Sequence, residues 1–452
     1  MDSLKFLEKL VRIKTVSADA SCAENMYECA NFLSDFFKER GFECDVANTD
    51  MHPIVFARRN SKNGDAKARI LCYGHYDVQP HDPISEWKTP PFEPTIKDGK
   101  IWGRGTADNK GPFTTMISAI MNLLEKDENL PLDIAFLLEG EEEISSPSMP
   151  KFITDNKDML SEYDFVLLSD TMSPSINQIQ ITTALRGVVS FDVNFRGANT
   201  DLHSGMYGGL VYNPIQAMAE VCASLHSANG RVNVDGFYDD VVEPSQWEKD
   251  ELKKLSITED SVKEMLDLTS LYEQSAMQPL ESTRFYPTLE FNGISGGYEG
   301  DGNKTVIASE CFCKISCRLV ANQDPARIID LVQKAIAERC PKQVKVSFNN
   351  HDGLASPYFN DINNPKNDKE AKVFESLKAS IRESFGCEAV FLRDGGSIAL
   401  IAMLKQIIGL DSLMIGLFTP EDALHAPNES FYLDILAGGV KMYENFFTKL
   451  SK

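Results

Sequence analysis

Acidic and imidazole side chains fall at five places where the chain turns after an apolar run or into a helix: His75 with Asp77, Asp108, Glu142 with Glu143, Asp170, and His425. His75 and Asp77 follow the run Ala68 to Tyr73, which reads as a buried strand closed by Gly74. Residues two apart on an extended chain point to one side, so this carboxylate can orient this imidazole. Taken alone, a His–Asp pair is as often an ordinary loop hydrogen bond. The other four positions change the balance. If the strands are parallel, these loops meet at the sheet's carboxyl edge, where open α/β sheets place their ligands. So many carboxylates cannot stay ionised together, because like charges a few ångströms apart raise one another's pKa. Two divalent cations remove the conflict. Imidazoles mixed with carboxylates suit Zn2+ best, with Mn2+ or Co2+ as alternatives.

The elements that must present these residues follow from the pattern. Residues 1–60 read as helix, helix, strand, the second helix running from Ala23 to Arg40 and stopping at Gly41. The segment Ile101 to Gly111 enters a helix with Pro112 in its first turn and Met116, Ile117, Ile120 and Leu124 as its buried stripe. Strand Asp133–Leu138 leads to the acidic cluster Glu139–Glu143, and strand Phe165–Leu168 leads to Asp170. Strands alternating with helices imply an α/β fold, a mostly parallel sheet flanked by helices. From about Leu185 the texture changes. Val189, Phe191, Val193 and Phe195 alternate with polar residues. A helix at Asn213–Leu225, another near Thr258–Glu273, a glycine-rich loop from Gly293 to Gly302, strand Glu310–Val320, helix Pro325–Glu338 and strand Val344–Phe348 suggest an inserted two-layer α+β domain. The α/β pattern returns with helix 369–385, strand Ala389–Leu392, loop Arg393–Ser397, a helix, strand Leu413–Leu417, His425 and a closing helix 430–449. The expected domains are 1–182 with 367–452, and 183–366.

The 452 residues are 42% hydrophobic, ample for such cores, and the net charge is −22. That charge argues against nucleic acid or an anionic membrane as a partner. The charged first residues do not read as a signal peptide, and the apolar stretch Ser397 to Phe418 is broken by Lys405, Gln406 and Asp411. Ten scattered cysteines in such a chain point to reduced thiols and a cytoplasmic setting. Cys311, Cys313 and Cys317 share one strand face and read as core packing. Gly103-x-Gly105 is no dinucleotide fingerprint, Lys110 lacks Walker spacing, and Ser204 and Ser397 lack a serine-hydrolase elbow. His52, His81, His226 and His351 read as structural or solvated.

The motifs YGHYDVQP, GRGTADNKG, LEGEEEISS, LLSD, DLHSG and EDALHAPNE, in this order along the chain, resemble the two-zinc aminopeptidase-like family. That family holds carnosinases and cytosolic nonspecific dipeptidases, aminoacylases, acetylornithine deacetylases, succinyl-diaminopimelate desuccinylases and glutamate carboxypeptidases. The dipeptidase branch is the most similar. The resemblance implies a zinc aminopeptidase-like catalytic domain with a lid and dimerisation insert. It implies that His75 and Asp170 hold one metal, Glu143 and His425 the other, and Asp108 both. Asp77 would clamp His75, Glu142 would be the general base, and the Asp108–Asn109 peptide would be cis. Family members usually carry a glycine after the glutamate pair where this chain has Ser145.

By the same resemblance, a metal-bridging hydroxide formed with Glu142 attacks the scissile carbonyl of a dipeptide. His203, in DLHSG, would contact the transition state from the partner subunit of a homodimer. Arg318 would grip the substrate's carboxylate, a fitting task for a guanidinium, with Gly395, Gly396 and Ser397 offering amides and a hydroxyl. Two rivals remain at this stage. One is an amidohydrolase that deacylates N-acyl amino acids, and the other is a non-catalytic binding relative of the same fold.

Overall fold

The computed structural model of the protein describes residues 1–255, 257–272, 279–351 and 354–452. They fall into two compact units, one of residues 1–183, 360–392 and 403–452, the other of residues 184–359 and 393–402.

The first unit is built on a mixed sheet whose centre is parallel. Strand Ala68–His75 is buried along its length save Arg69, as an interior strand must be. It runs parallel to Leu132–Glu139 on one side and to Phe165–Met172 on the other. Ser412–Phe418 extends the parallel set beyond Phe165–Met172. The margins are antiparallel: Ile54–Arg59 and Glu43–Ala47 at one side, Gln180–Leu185 at the other. Register places the chemistry. His75 lies opposite Glu139, Tyr73 opposite Leu168, and Met414 opposite Leu168. The loops after all four parallel strands therefore leave the sheet at one edge.

Helices Lys110–Lys126, Asp368–Phe385 and Leu433–Leu450 pack in series beside this sheet, and Ala23–Lys38 packs on its first two strands. Phe37, Phe113, Phe136 and Phe447 are fully buried in the core. Each such side chain contributes about 1.5–3 kcal/mol relative to exposure.

The second unit is a four-stranded antiparallel sheet in the order Thr288–Gly296, Glu310–Leu319, Gly187–Arg196, Lys345–Asn350. Helices Pro214–Ser224 and Pro325–Arg339 pack on it. Val189, Phe191, Val193 and Phe195 form its core with Cys311, Cys313 and Cys317, all three free thiols.

The structure differs from the sequence reading in several elements. The first 60 residues hold two strands, not one. The first four residues of the expected glycine-rich loop are the end of strand Thr288–Gly296, an edge strand with one exposed face that tolerates glycines. The helix expected near residue 258 covers Glu259–Leu266 and stops at Asp267 in the left-handed region, while residue 273 lies outside the described residues. The closing helix begins at Leu433, because Ser430–Tyr432 pairs as a strand with Lys100–Trp102. Residues 393–402 group with the second unit, tied there by Arg393 on Glu248 and by Arg186 and Arg318 on the loop that follows.

Candidate metal centre

Seven of the expected site residues come together at the sheet edge of the first unit. His75, Asp108 and Asp170 each offer a ligand atom within 4.8 Å of the others, and so do Asp108, Glu143 and His425. Asp108 belongs to both groups through different oxygens. Its Oδ1 lies 3.1 Å from His75 Nε2 and its Oδ2 lies 3.0 Å from His425 Nε2. His75 Nε2 is 3.7 Å from Asp170 Oδ1, and His425 Nε2 is 3.4 Å from Glu143 Oε2.

Asp77 ties the first group to the glutamate loop. His75 Nδ1 donates to the Asp77 carbonyl at 3.1 Å and lies 3.3 Å from Oδ1. The Asp77 carboxylate in turn accepts the backbone amides of Glu142 and Glu143, at 3.2 and 3.1 Å. The Asp77 carbonyl can only accept, so the Nδ1 proton stays in place and Nε2, turned toward Asp108 and Asp170, is the nitrogen left for a metal ion. Gln79 donates to Glu143 Oε2 at 2.7 Å, and Asn109 donates to Asp170 Oδ1 at 2.8 Å, so both acids are aimed as well. The Asp108–Asn109 peptide is cis.

Of the three successive glutamates, Glu141 turns away. Its carboxylate accepts from Thr49 Oγ1, the His52 amide, the Ser148 amide and Ser148 Oγ, all at 2.9 Å. The chain then passes through Ser145 and Ser146, both with positive φ, where the family usually carries a glycine.

Sequence reasoning missed Glu429. It is fully buried, and its carboxylate accepts the amides of Gly105, Ala107 and Asp108, at 2.8, 2.8 and 3.0 Å, and the Arg104 guanidinium at 2.9 Å. One carboxylate thus shapes the loop that carries Asp108. The only signal was its place at the end of EDALHAPNE.

The acids crowd one another. Burial raises the pKa of Glu142 well above its ordinary value, opposed by His75 and reinforced by Asp170, Asp108 and Asp77. Burial pushes Glu143 up to about 10, with Asp108 adding to the effect, and raises Asp170 too. Burial also acts on Asp108, but hydrogen bonds from His425 and His75 outweigh it and hold the carboxyl below the usual range. Burial opposes charge on His75, yet Asp170, Asp108 and Asp77 together push the imidazole well up. The protein's own cations therefore leave this carboxylate set undercompensated. Two triads of nitrogen and oxygen donors sharing one aspartate fit a pair of divalent ions, which would supply the missing positive charge.

The remaining expected residues lie in the second unit. His203 is exposed, and its Nδ1 accepts the Gly205 amide at 3.0 Å, so the ring carries its proton on Nε2 when neutral. Arg318 Nη1 donates to Ser397 Oγ at 3.1 Å, and Ser397 Oγ donates to the Arg186 carbonyl. The Gly396 amide donates to Asp394 Oδ1 at 3.1 Å, and the Gly395 carbonyl accepts from Arg186 Nε at 3.2 Å.

Residues 71–449 match the profile of Peptidase family M20/M25/M40. The chain belongs to that family. It is 28% identical to the Cys-Gly metallodipeptidase dug1 of Schizosaccharomyces pombe, over 98% of this chain and 94% of that protein. It is 28% identical to the human Beta-Ala-His dipeptidase, over 90% of this chain and 79% of that protein. A solved M20 family metallo-carboxypeptidase, Sso-CP2 from Sulfolobus solfataricus, superposes with a TM-score of 0.82 at 29% identity, covering 100% of this chain and 99% of that one. Human carnosine dipeptidase 1 gives 0.77 at 26% identity, covering 100% and 96%. The chain is accordingly a hydrolase of the metallopeptidase type. Among the described residues no helix is long and apolar enough to cross a membrane.

Proposed function

We propose that the protein is a metal-dependent exopeptidase that hydrolyses dipeptides. It works in the cytoplasm as a homodimer, with two divalent ions per subunit, Zn2+ before Mn2+ or Co2+. The observation that carries this reading is the pair of ligand triads sharing Asp108. The metallodipeptidase and dipeptidase names of relatives aligned over most of the chain support it. His75 and Asp170 hold one ion, Glu143 and His425 the other, and Asp108 both.

When bound, the ions supply Lewis acidity, which makes water a nucleophile near neutral pH and polarises the scissile carbonyl. Glu142 takes the proton of the attacking water and returns it to the leaving amine. Asp77 keeps the His75 ring in one tautomer and one orientation. His203, protonated on Nε2, donates a hydrogen bond to the developing oxyanion in the partner subunit of the dimer. Arg318 binds the substrate's carboxylate, with the Gly395–Gly396 backbone beside it. Ser397 serves by accepting from Arg318 Nη1, since its own proton already goes to the Arg186 carbonyl.

Glu142→Gln tests the assignment of the base. The metal-loaded variant is expected to keep two ions by elemental analysis and to lose about 10²–10⁴-fold in kcat on a dipeptide panel. Unchanged turnover would remove Glu142 from the reaction. Parallel rates on N-acetyl amino acids separate a dipeptidase from a deacylase.

A further inference from the structure

Three arginines of the second unit, Arg186, Arg284 and Arg318, gather around the loop Asp394–Ser397. Arg186 is clamped there by its amide on the Gly396 carbonyl at 2.9 Å, by Nε on the Gly395 carbonyl at 3.2 Å, and by its own carbonyl on Ser397 Oγ. A methyl group built on Gly395 would come within 3.4 Å of Arg186 Nη2 and 3.3 Å of the Thr283 carbonyl, so the chain just before Arg284 meets the same loop. Arg318 reaches it through Ser397. Gly395 and Ser397 are two residues apart, so these contacts fall within about 7 Å of chain.

The cluster is short of anions. Among the described residues none of the three guanidiniums makes an ion pair. Arg186 Nη1 and Arg284 Nε are buried without a hydrogen-bond partner. Asp394 is the carboxylate that acts electrostatically on both Arg186 and Arg284, and burial with the Arg318 charge depresses the Arg186 pKa to about 10. Glu290 also acts on Arg186, so three positive groups face two negative ones and one positive charge is left unmatched. A monoanionic C-terminus, with two oxygens, can saturate one guanidinium fork. It would answer Arg318 and leave the two unmet donors, Arg186 Nη1 and Arg284 Nε, as they are.

We propose, on the basis of the dipeptidase reading above, that this cluster selects substrates whose C-terminal residue is acidic. Arg318 takes the α-carboxylate, and Arg186 with Arg284 takes the side-chain carboxylate of aspartate or glutamate. A neutral amide offers one acceptor oxygen where a carboxylate offers two, and sets its NH2 donor against the second guanidinium, which is the kind of mismatch that discriminates between near-isosteres. Arg186 and Arg284 are specificity residues in this scheme and have no part in bond cleavage.

The test uses the metal-loaded full-length protein and two nearly isosteric pairs, Ala-Glu with Ala-Gln and Ala-Asp with Ala-Asn. The acidic member is expected to be favoured at least tenfold in kcat/KM, with most of the difference in KM. In Arg186→Gln, and independently in Arg284→Gln, the acidic-to-amide ratio is expected to fall toward one. Two variants guard against either one failing to fold. Titration of the protein with free L-glutamate and L-glutamine is expected to show the same preference. Equal kcat/KM within each pair, or a preference that survives both substitutions, overturns the inference while leaving the dipeptidase reading intact. If no dipeptide is turned over, the dipeptidase reading fails and the glutamate–glutamine titrations decide the selectivity by themselves.

Discussion

Glu139 shows how one buried acid behind the metal ligands makes stability depend on pH. Its Oε1 accepts from Tyr73 and Ser146, both at 2.9 Å, while Oε2 is buried with no partner among the described residues. Burial, with Asp77 adding, pushes its pKa up to about 8. In the unfolded chain a glutamate titrates near 4.3. The folded state thus keeps a proton that the unfolded state releases, and this contribution to stability falls as pH rises from about 4.3 to about 8. Glu139→Gln keeps an acceptor for Tyr73 and Ser146 and removes the titration. In urea denaturation of the metal-loaded protein between pH 5 and 8, the variant is expected to lose a slope of up to about 1.4 kcal/mol per pH unit. Identical slopes in both proteins would mean that Glu139 is ionised in the fold.

At the scale of the element, the decisive feature is how loops are fixed to strand ends. Strand register brings His75 level with Glu139 and, through Leu168, near the level of Asp170. The Asp108 loop follows no strand of the parallel sheet, only Lys100–Trp102 of a separate small sheet. It is held by Glu429, more than 300 residues later, through the amides of Gly105, Ala107 and Asp108. Arg104 supplies the opposite charge from within the same buried pair. Glu429→Ala leaves that guanidinium uncompensated and three amides without their acceptor. The expected loss is about 3–5 kcal/mol of unfolding free energy, with weaker metal binding by isothermal titration. Stability within 1 kcal/mol of the parent protein would show that water replaces the carboxylate without cost.

For the whole molecule, legibility in the sequence followed the range of the interaction. His75 with Asp77 could be read because a strand has period two, and Asp170 because an apolar run ended just before it. The parallel centre of the sheet followed from alternating strands and helices. The Glu429–Arg104 pair could not be read, since nothing local links residues so far apart. Nor could the Arg186 and Arg284 cluster, which exists only once the 279–285 helix and the 394–397 loop meet. Strand Thr288–Gly296 was obscured by its own glycines, which an edge position tolerates. Glu141 lies in the same acidic run as Glu142 and Glu143, and only its four hydrogen-bond donors set it apart from them.

The most direct measurement is anomalous diffraction above and below the metal edge on crystals of zinc-loaded protein. Two ions per subunit are expected, one touching His75 and Asp170, the other touching Glu143 and His425, with Asp108 ligating both. A single ion, or two ions with Asp108 bound to neither, would contradict that arrangement.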